Sequence, residues 1–208
     1  MTAPAAWSRR VAIIGPCLGT MLVARPADAH LVTTGLGPVY DGIVHLLASP
    51  EDWLAVAGLA LLAGLHGPRP ARWVLPTLPT GWLVGAMLGR LSGIPVDDVV
   101  PAVSLVALGG LVAADAALPP AAMGGLAALV GLAHGYANGA AMPLAVPAML
   151  AIAAGVFVLF ALVVAIVLPL RARGGRIGIR VLGSWIAAVG LLLLGWTLRR
   201  WIGLPTSG

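Results

Sequence analysis

His134-Gly135-Tyr136-Ala137-Asn138-Gly139 sets an imidazole, a phenol and a carboxamide inside a run otherwise made of Ala, Gly, Leu, Val and Met. His134 and Asn138 are four residues apart and share one helix face, as do Asp41 and His45. Carboxylate pairs stand at Glu51-Asp52 and Asp97-Asp98, and a further histidine at His30. Imidazole nitrogen combined with carboxylate and amide oxygen suits a divalent transition metal such as nickel, cobalt, zinc or iron. The single cysteine, Cys17, lies far from these groups, so a thiolate-built structural zinc site is not expected. Each group also has a plainer role. Carboxylates favour the positive end of a helix, so Glu51-Asp52 and Asp97-Asp98 would serve equally as helix-start residues. His45 could sit at a membrane interface, and His134 could be a hydrogen-bonded packing histidine.

The elements that must hold these groups are apolar helices. The chain of 208 residues is 60% hydrophobic and 9% charged, which no soluble domain of this length requires. Several runs approach the ~20 residues needed to cross a bilayer. The expected fold is all-α, a polytopic membrane protein with a bundle of six transmembrane helices in one domain spanning residues 30–208. Pro38 to Ala48 reads as a short amphipathic or re-entrant helix, and Ser49-Pro50-Glu51-Asp52 opens the first span through Leu65. The further spans are expected near Trp73–Leu91, Asp98–Ala114, Ala121–Ala141, Leu144–Leu168 and Ile179–Leu198. Gly131, Gly135 and Gly139 recur every four residues, which permits close approach of a neighbouring helix. The expected neighbours are the first and third spans. His66 and Asp115 are assigned to loops or interfaces, and most tryptophans to interfaces or helix packing.

Residues 1–29 have the pattern of a cleavable signal peptide. Arg9-Arg10 form its basic region, Val11 to Ala24 its apolar region, and Ala27-Asp28-Ala29 its small-residue cleavage site. Cleavage would leave His30 as the new N-terminus, whose amine and imidazole could together chelate a metal. The net charge of +5 comes from arginine alone, since the chain has no lysine. That balance fits membrane orientation rather than nucleic-acid binding. Arg69 and Arg72 follow the first span, and Arg171, Arg173, Arg176 and Arg180 lie between the fifth and sixth. The positive-inside rule makes both loops cytoplasmic and puts the mature N-terminus outside a bacterial inner membrane. Asp41, His45, Glu51, Asp52, Asp98, His134 and Asn138 then all fall at the outer end of the bundle.

Three places in the chain carry a resemblance. His45 is followed six and seven residues later by Glu51-Asp52, Asp98 precedes Ser104 by six, and His134 through Ala141 reads His-Gly-Tyr-Ala-Asn-Gly-Ala-Ala. In these the chain resembles the HupE/UreJ family of small membrane proteins, associated with nickel supply to hydrogenase and urease. The family's corresponding patterns are histidine with Asp-His, an acidic residue six before a serine, and His-Gly-x-Ala-His-Gly-Ala-Glu. The resemblance implies that His45, Glu51, Asp98 and His134 retain the family's site chemistry. It departs at Asp52, Asn138 and Ala141, where imidazole becomes carboxylate, imidazole becomes amide, and carboxylate is lost. A site richer in oxygen favours harder cations and binds nickel less tightly.

Two functions follow as expectations. One is a permease or facilitator that admits a divalent metal through an outward-facing site of His45, Glu51, Asp98 and His134, with Asp41, Asp52, Asn138 and His30 around it. The other is a non-transporting accessory protein that binds metal or assembles with a partner complex, for instance in metalloenzyme maturation. The sequence has no lysine, hence no ATP-binding loop of the Gly-x4-Gly-Lys-Ser/Thr type. No enzyme is expected: no serine or cysteine nucleophile has an evident histidine partner in the sequence, and no HExxH is present.

Overall fold

Proline and glycine divide the apolar runs into helices. The computed structural model describes residues 34–97, 99–141 and 145–202. The expected signal peptide, Cys17, His30 and Asp98 lie outside the described residues. Among the described residues there are seven α-helices and no strand: α1 (Pro38–Ala48), α2 (Pro50–His66), α3 (Pro68–Ser92), α4 (Val99–Ala113), α5 (Pro120–Ala141), α6 (Val146–Leu170) and α7 (Arg173–Trp201). Four of them begin on a proline, whose fixed φ and missing N–H suit the first helical position. Gly93 closes α3 in the left-handed region at φ 61°, its N–H bonding to Gly89 O at 3.0 Å.

Length and apolarity make α6 and α7 each able to cross a membrane. α1 and α2 together form a third candidate, a broken span bent by 73° where Ser49 leaves one helix and Pro50 starts the next. α4 is apolar but has only 15 residues. In α3 and α5 the glycines and polar side chains dilute the apolar character that a span needs.

The glycine face of α5 does meet a close neighbour, but that neighbour is α3 rather than the first or third span. A Cβ on Gly131, Gly135 or Gly139 would strike the carbonyls of Leu78, Trp82 and Ala86. The fit is reciprocal, because Gly81, Gly85 and Gly89 of α3 lie against the carbonyls of Ala128, Leu132 and Tyr136. Two ladders with the same four-residue spacing therefore interlock, and backbone packs on backbone. The first and third spans lack such a ladder, which is why they do not take this place. α4 packs on α7 by a similar device, with Gly109, Gly183 and Gly190 each against the opposing helix. α6 lies against α1 and α2, where Gly42 meets Ala148 and Gly64 meets Val167. The buried centre, including Leu59, Leu62, Leu78, Leu105, Leu108 and Phe160, is apolar.

Candidate functional site

Asp52 sits in the first turn of α2, Ser104 near the start of α4, and His134 and Asn138 one turn apart near the end of α5. The antiparallel run of these helices gathers all four at one end of the bundle. His134 Nδ1 donates to Asp52 Oδ1 at 2.8 Å, and Asn138 Nδ2 donates to Asp52 Oδ2 at 2.9 Å. On the far side of the ring, His134 Nε2 pairs with Ser104 Oγ at 2.7 Å. With Nδ1 donating, Nε2 takes the Ser104 hydroxyl proton, for which Pro101 O at 2.7 Å is the alternative acceptor. Asp52 is 2% exposed and His134 1%, so each group is out of water and finds its partners within the protein.

The glycine ladders position this network. By bringing the backbone of Trp82 against Gly135, they set the Trp82 ring beside His134, with centroids 5.4 Å apart and planes tilted by 34°. Asn138 follows on the same face of α5, and Gly139 beyond it continues the contact with α3.

His45 stands in contrast. It is buried at 2% exposure, and neither ring nitrogen has a hydrogen-bond partner. Glu51 is half-buried in the first turn of α2, next to Asp52 in the chain. Trp82 Nε1 is a further buried donor without a partner beside His134. Of the expected site residues, Asp52, His134 and Asn138 are bonded to one another, while His45 and Glu51 lie at the same end of the bundle without a hydrogen bond to them. Asp41 is not brought in. Its carboxylate accepts from Thr34 N at 2.6 Å and Thr34 Oγ1 at 2.7 Å, because α1 begins just after a turn that returns Thr34 to it. Among the described residues, no group of three or more His, Cys, Asp or Glu is arranged to hold a metal ion. Glu51 and Asp52 do stand in the first turn of α2, where carboxylates favour the helix's positive end, and the Asp52 carboxylate is in addition bonded to His134 and Asn138. Asp97 accepts from Trp201 Nε1 at 3.0 Å and so ties the start of α4 to the end of α7.

Ser104 corrects the expectation that no serine has a histidine partner. Ser104, His134 and Asp52 meet in the contact order of a hydrolytic triad, across 30 and 82 positions of sequence. Acyl transfer also needs backbone donors for an oxyanion. Ser104 lies within α4, where N–H groups are spent on the helix, and its hydroxyl faces the Pro101 carbonyl. Ser104 was legible only as the serine six residues after Asp98, a spacing that says nothing of which imidazole it meets.

A second polar cluster closes the opposite end. Asp115 ends α4 at φ 58°, with Asp115 N–H on Val112 O at 3.0 Å and Ala116 N–H on Leu111 O at 2.9 Å. That double closure is a Schellman turn, normally given to glycine, and aspartate is among the few side chains that tolerate it. The Asp115 carboxylate accepts a fork from Arg176, Nε at 2.5 Å and Nη2 at 2.8 Å. The Arg176 bond holds the Asp115 carboxyl below the usual carboxylate range, against a smaller opposing effect of desolvation. His66 Nε2 lies 3.8 Å away, and Arg180 donates to Ala113 O at 2.8 Å. Asp115, in the turn after α4, is thus tied to α7 by Arg176, and His66, the last residue of α2, lies near it without a hydrogen bond.

The family described as HupE / UreJ protein matches residues 18–193. The chain belongs to that family. The match covers α1 to α6 and most of α7, and so includes both polar clusters and both glycine ladders. No curated protein and no solved structure gives a match. Within this HupE/UreJ chain, the positions of the family patterns at His45, Glu51-Asp52, Ser104 and His134 through Asn138 are those that converge at one end of the bundle.

Proposed function

We propose that this protein is a membrane facilitator for a divalent transition metal, nickel- or cobalt-like, admitted through the His/carboxylate cluster at one end of the bundle. The observation that carries the reading is His45, an imidazole buried with both nitrogens unpartnered. A buried polar atom left unpaired costs about 1–3 kcal/mol, which a bound cation relieves. Family membership supports the same substrate class. Few protein donors also suit passage, since a permeating ion must be held weakly enough to leave.

In this reading residues 1–29 are a signal peptide, the bundle has six spans in the inner membrane, and the cluster faces outward. Supporting the orientation are Arg69, Arg72, Arg171, Arg176 and Arg180 toward the other end. The cation loses part of its water shell to His45 and Glu51. Between that cluster and the Asp115–Arg176 tie lies the apolar centre of Leu59, Leu62, Leu105 and Leu108, so onward movement requires α2 and α4 to shift. The protein is not an enzyme in this reading, and flux is downhill, proton-coupled or driven by a partner.

Uptake of a metal panel into proteoliposomes tests the proposal. Flux of nickel or cobalt that His45→Ala abolishes supports it. Saturable binding without flux would replace it with the accessory reading, a metal-holding membrane partner of a maturation complex.

A further inference from the structure

We infer that Ser104 and Asn138 are positioning residues that withhold His134 and Asp52 from the cation, leaving His45 as the buried imidazole open to it among the described residues. This rests on the facilitator reading above and assigns the roles within its site. Two imidazoles stand at this end of the bundle, and their hydrogen-bond states are opposite. His134 spends Nδ1 on Asp52 at 2.8 Å and Nε2 on Ser104 at 2.7 Å. Asp52 spends Oδ1 on His134 and Oδ2 on Asn138, the latter at 2.9 Å. His45 spends neither nitrogen.

A metal takes an imidazole through a nitrogen lone pair, and that nitrogen cannot at the same time hold a hydrogen bond. His134 can ligate through Nε2 only if the Ser104 hydroxyl proton leaves that nitrogen for its other acceptor, Pro101 O at 2.7 Å. Asp52 can turn an oxygen to a cation only if Asn138 or His134 releases it, which would leave a buried donor unpaired. His45 meets no such obstacle, since neither of its ring nitrogens has a partner. The closed network is therefore a rigid, polar backing beside the ligands, and the two positioning side chains set how many donors the cation sees.

Co(II) is the probe, because its visible absorption reports the number and type of donors. In detergent-solubilised full-length protein, His45→Gln should weaken Co(II) binding by about tenfold or more, on the scale expected for a ligand-set residue. His134→Gln keeps an amide donor toward Asp52, and should leave the Co(II) spectrum, and so the donor set, as in wild type. Ser104→Ala frees Nε2, and Asn138→Ala frees an Asp52 oxygen, so each should add a donor and change the spectrum. A merely structural role for Ser104 or Asn138 would lower thermal stability without altering the absorption of bound Co(II). Binding lost in His134→Gln and retained in His45→Gln overturns the division of roles but not the cation reading. Unchanged spectra in both Ser104→Ala and Asn138→Ala also overturn the division, and these variants decide the matter if His134→Gln fails to fold. No Co(II) binding by folded wild-type protein overturns the cation reading and this inference with it.

Discussion

Asp52 and His134, 82 positions apart in the chain, meet at 2.8 Å with both side chains buried. The bond joins the first turn of α2 to the last turns of α5, and Asn138 and Ser104 extend it to a network across three helices. Removing the carboxylate should leave His134 and Asn138 without their partner. Asp52→Ala is expected to destabilise the protein by about 3–5 kcal/mol, the usual effect of breaking a buried pair. Glu51→Ala, at a half-buried position outside the network, should cost distinctly less. Thermal unfolding in detergent compares the two, and equal losses would count against the network as a structural tie.

The α3–α5 contact should be intolerant of even one methyl group. A Cβ on Gly135 would meet Trp82 O, and backbone cannot rotate away as a side chain can. Gly135→Ala is expected to cost about 1–3 kcal/mol through overpacking. Gly125→Ala, with nothing within 4 Å of the added carbon, should be neutral or slightly stabilising. Similar melting temperatures for the two variants would place the close contact elsewhere.

Asp115 gives a pH dependence with a definite sign. Its carboxyl is held below the ordinary range by the Arg176 bond, so the folded state prefers the ionised form. The resulting stabilisation is present above the unfolded value of ~3.9 and is lost as pH falls through the lower folded value. Asp115→Asn should therefore be less stable than wild type at neutral pH, with the difference shrinking below about pH 4. Asp115→Gly separates the two roles of this residue, since glycine keeps the left-handed φ of 58° while losing the ion pair. A stability difference that persists unchanged into strong acid would sink the assignment.

The proposed topology puts the connection between α6 and α7 in the cytoplasm. Ala172→Cys, combined with replacement of the native Cys17, should react with a membrane-impermeant maleimide only after the cells are opened. Labelling of intact spheroplasts at that position would reverse the orientation.

The sequence by itself determined the helices and the candidate polar groups. Apolar composition pointed to helical spans, Pro38, Pro50 and Pro120 marked where helices begin, and the broken helix at Ser49-Pro50 was readable from that pair, whereas the start of α3 at Pro68 lies ahead of the expected Trp73. The shared face of His134 and Asn138 follows from spacing alone, because four residues bring side chains to one side of any helix. These are rules acting within one helix, and they need no knowledge of neighbours. Only the tertiary structure decided that the α5 glycines face α3, that Asp41 turns back to Thr34, and that Ser104 meets His134. Gly81, Gly85 and Gly89 carried the missing signal, yet matching one ladder to another is a property of two surfaces. Pairing between helices is settled by which faces fit when the whole bundle closes, and the same closure leaves His134 hydrogen-bonded at both nitrogens and His45 at neither.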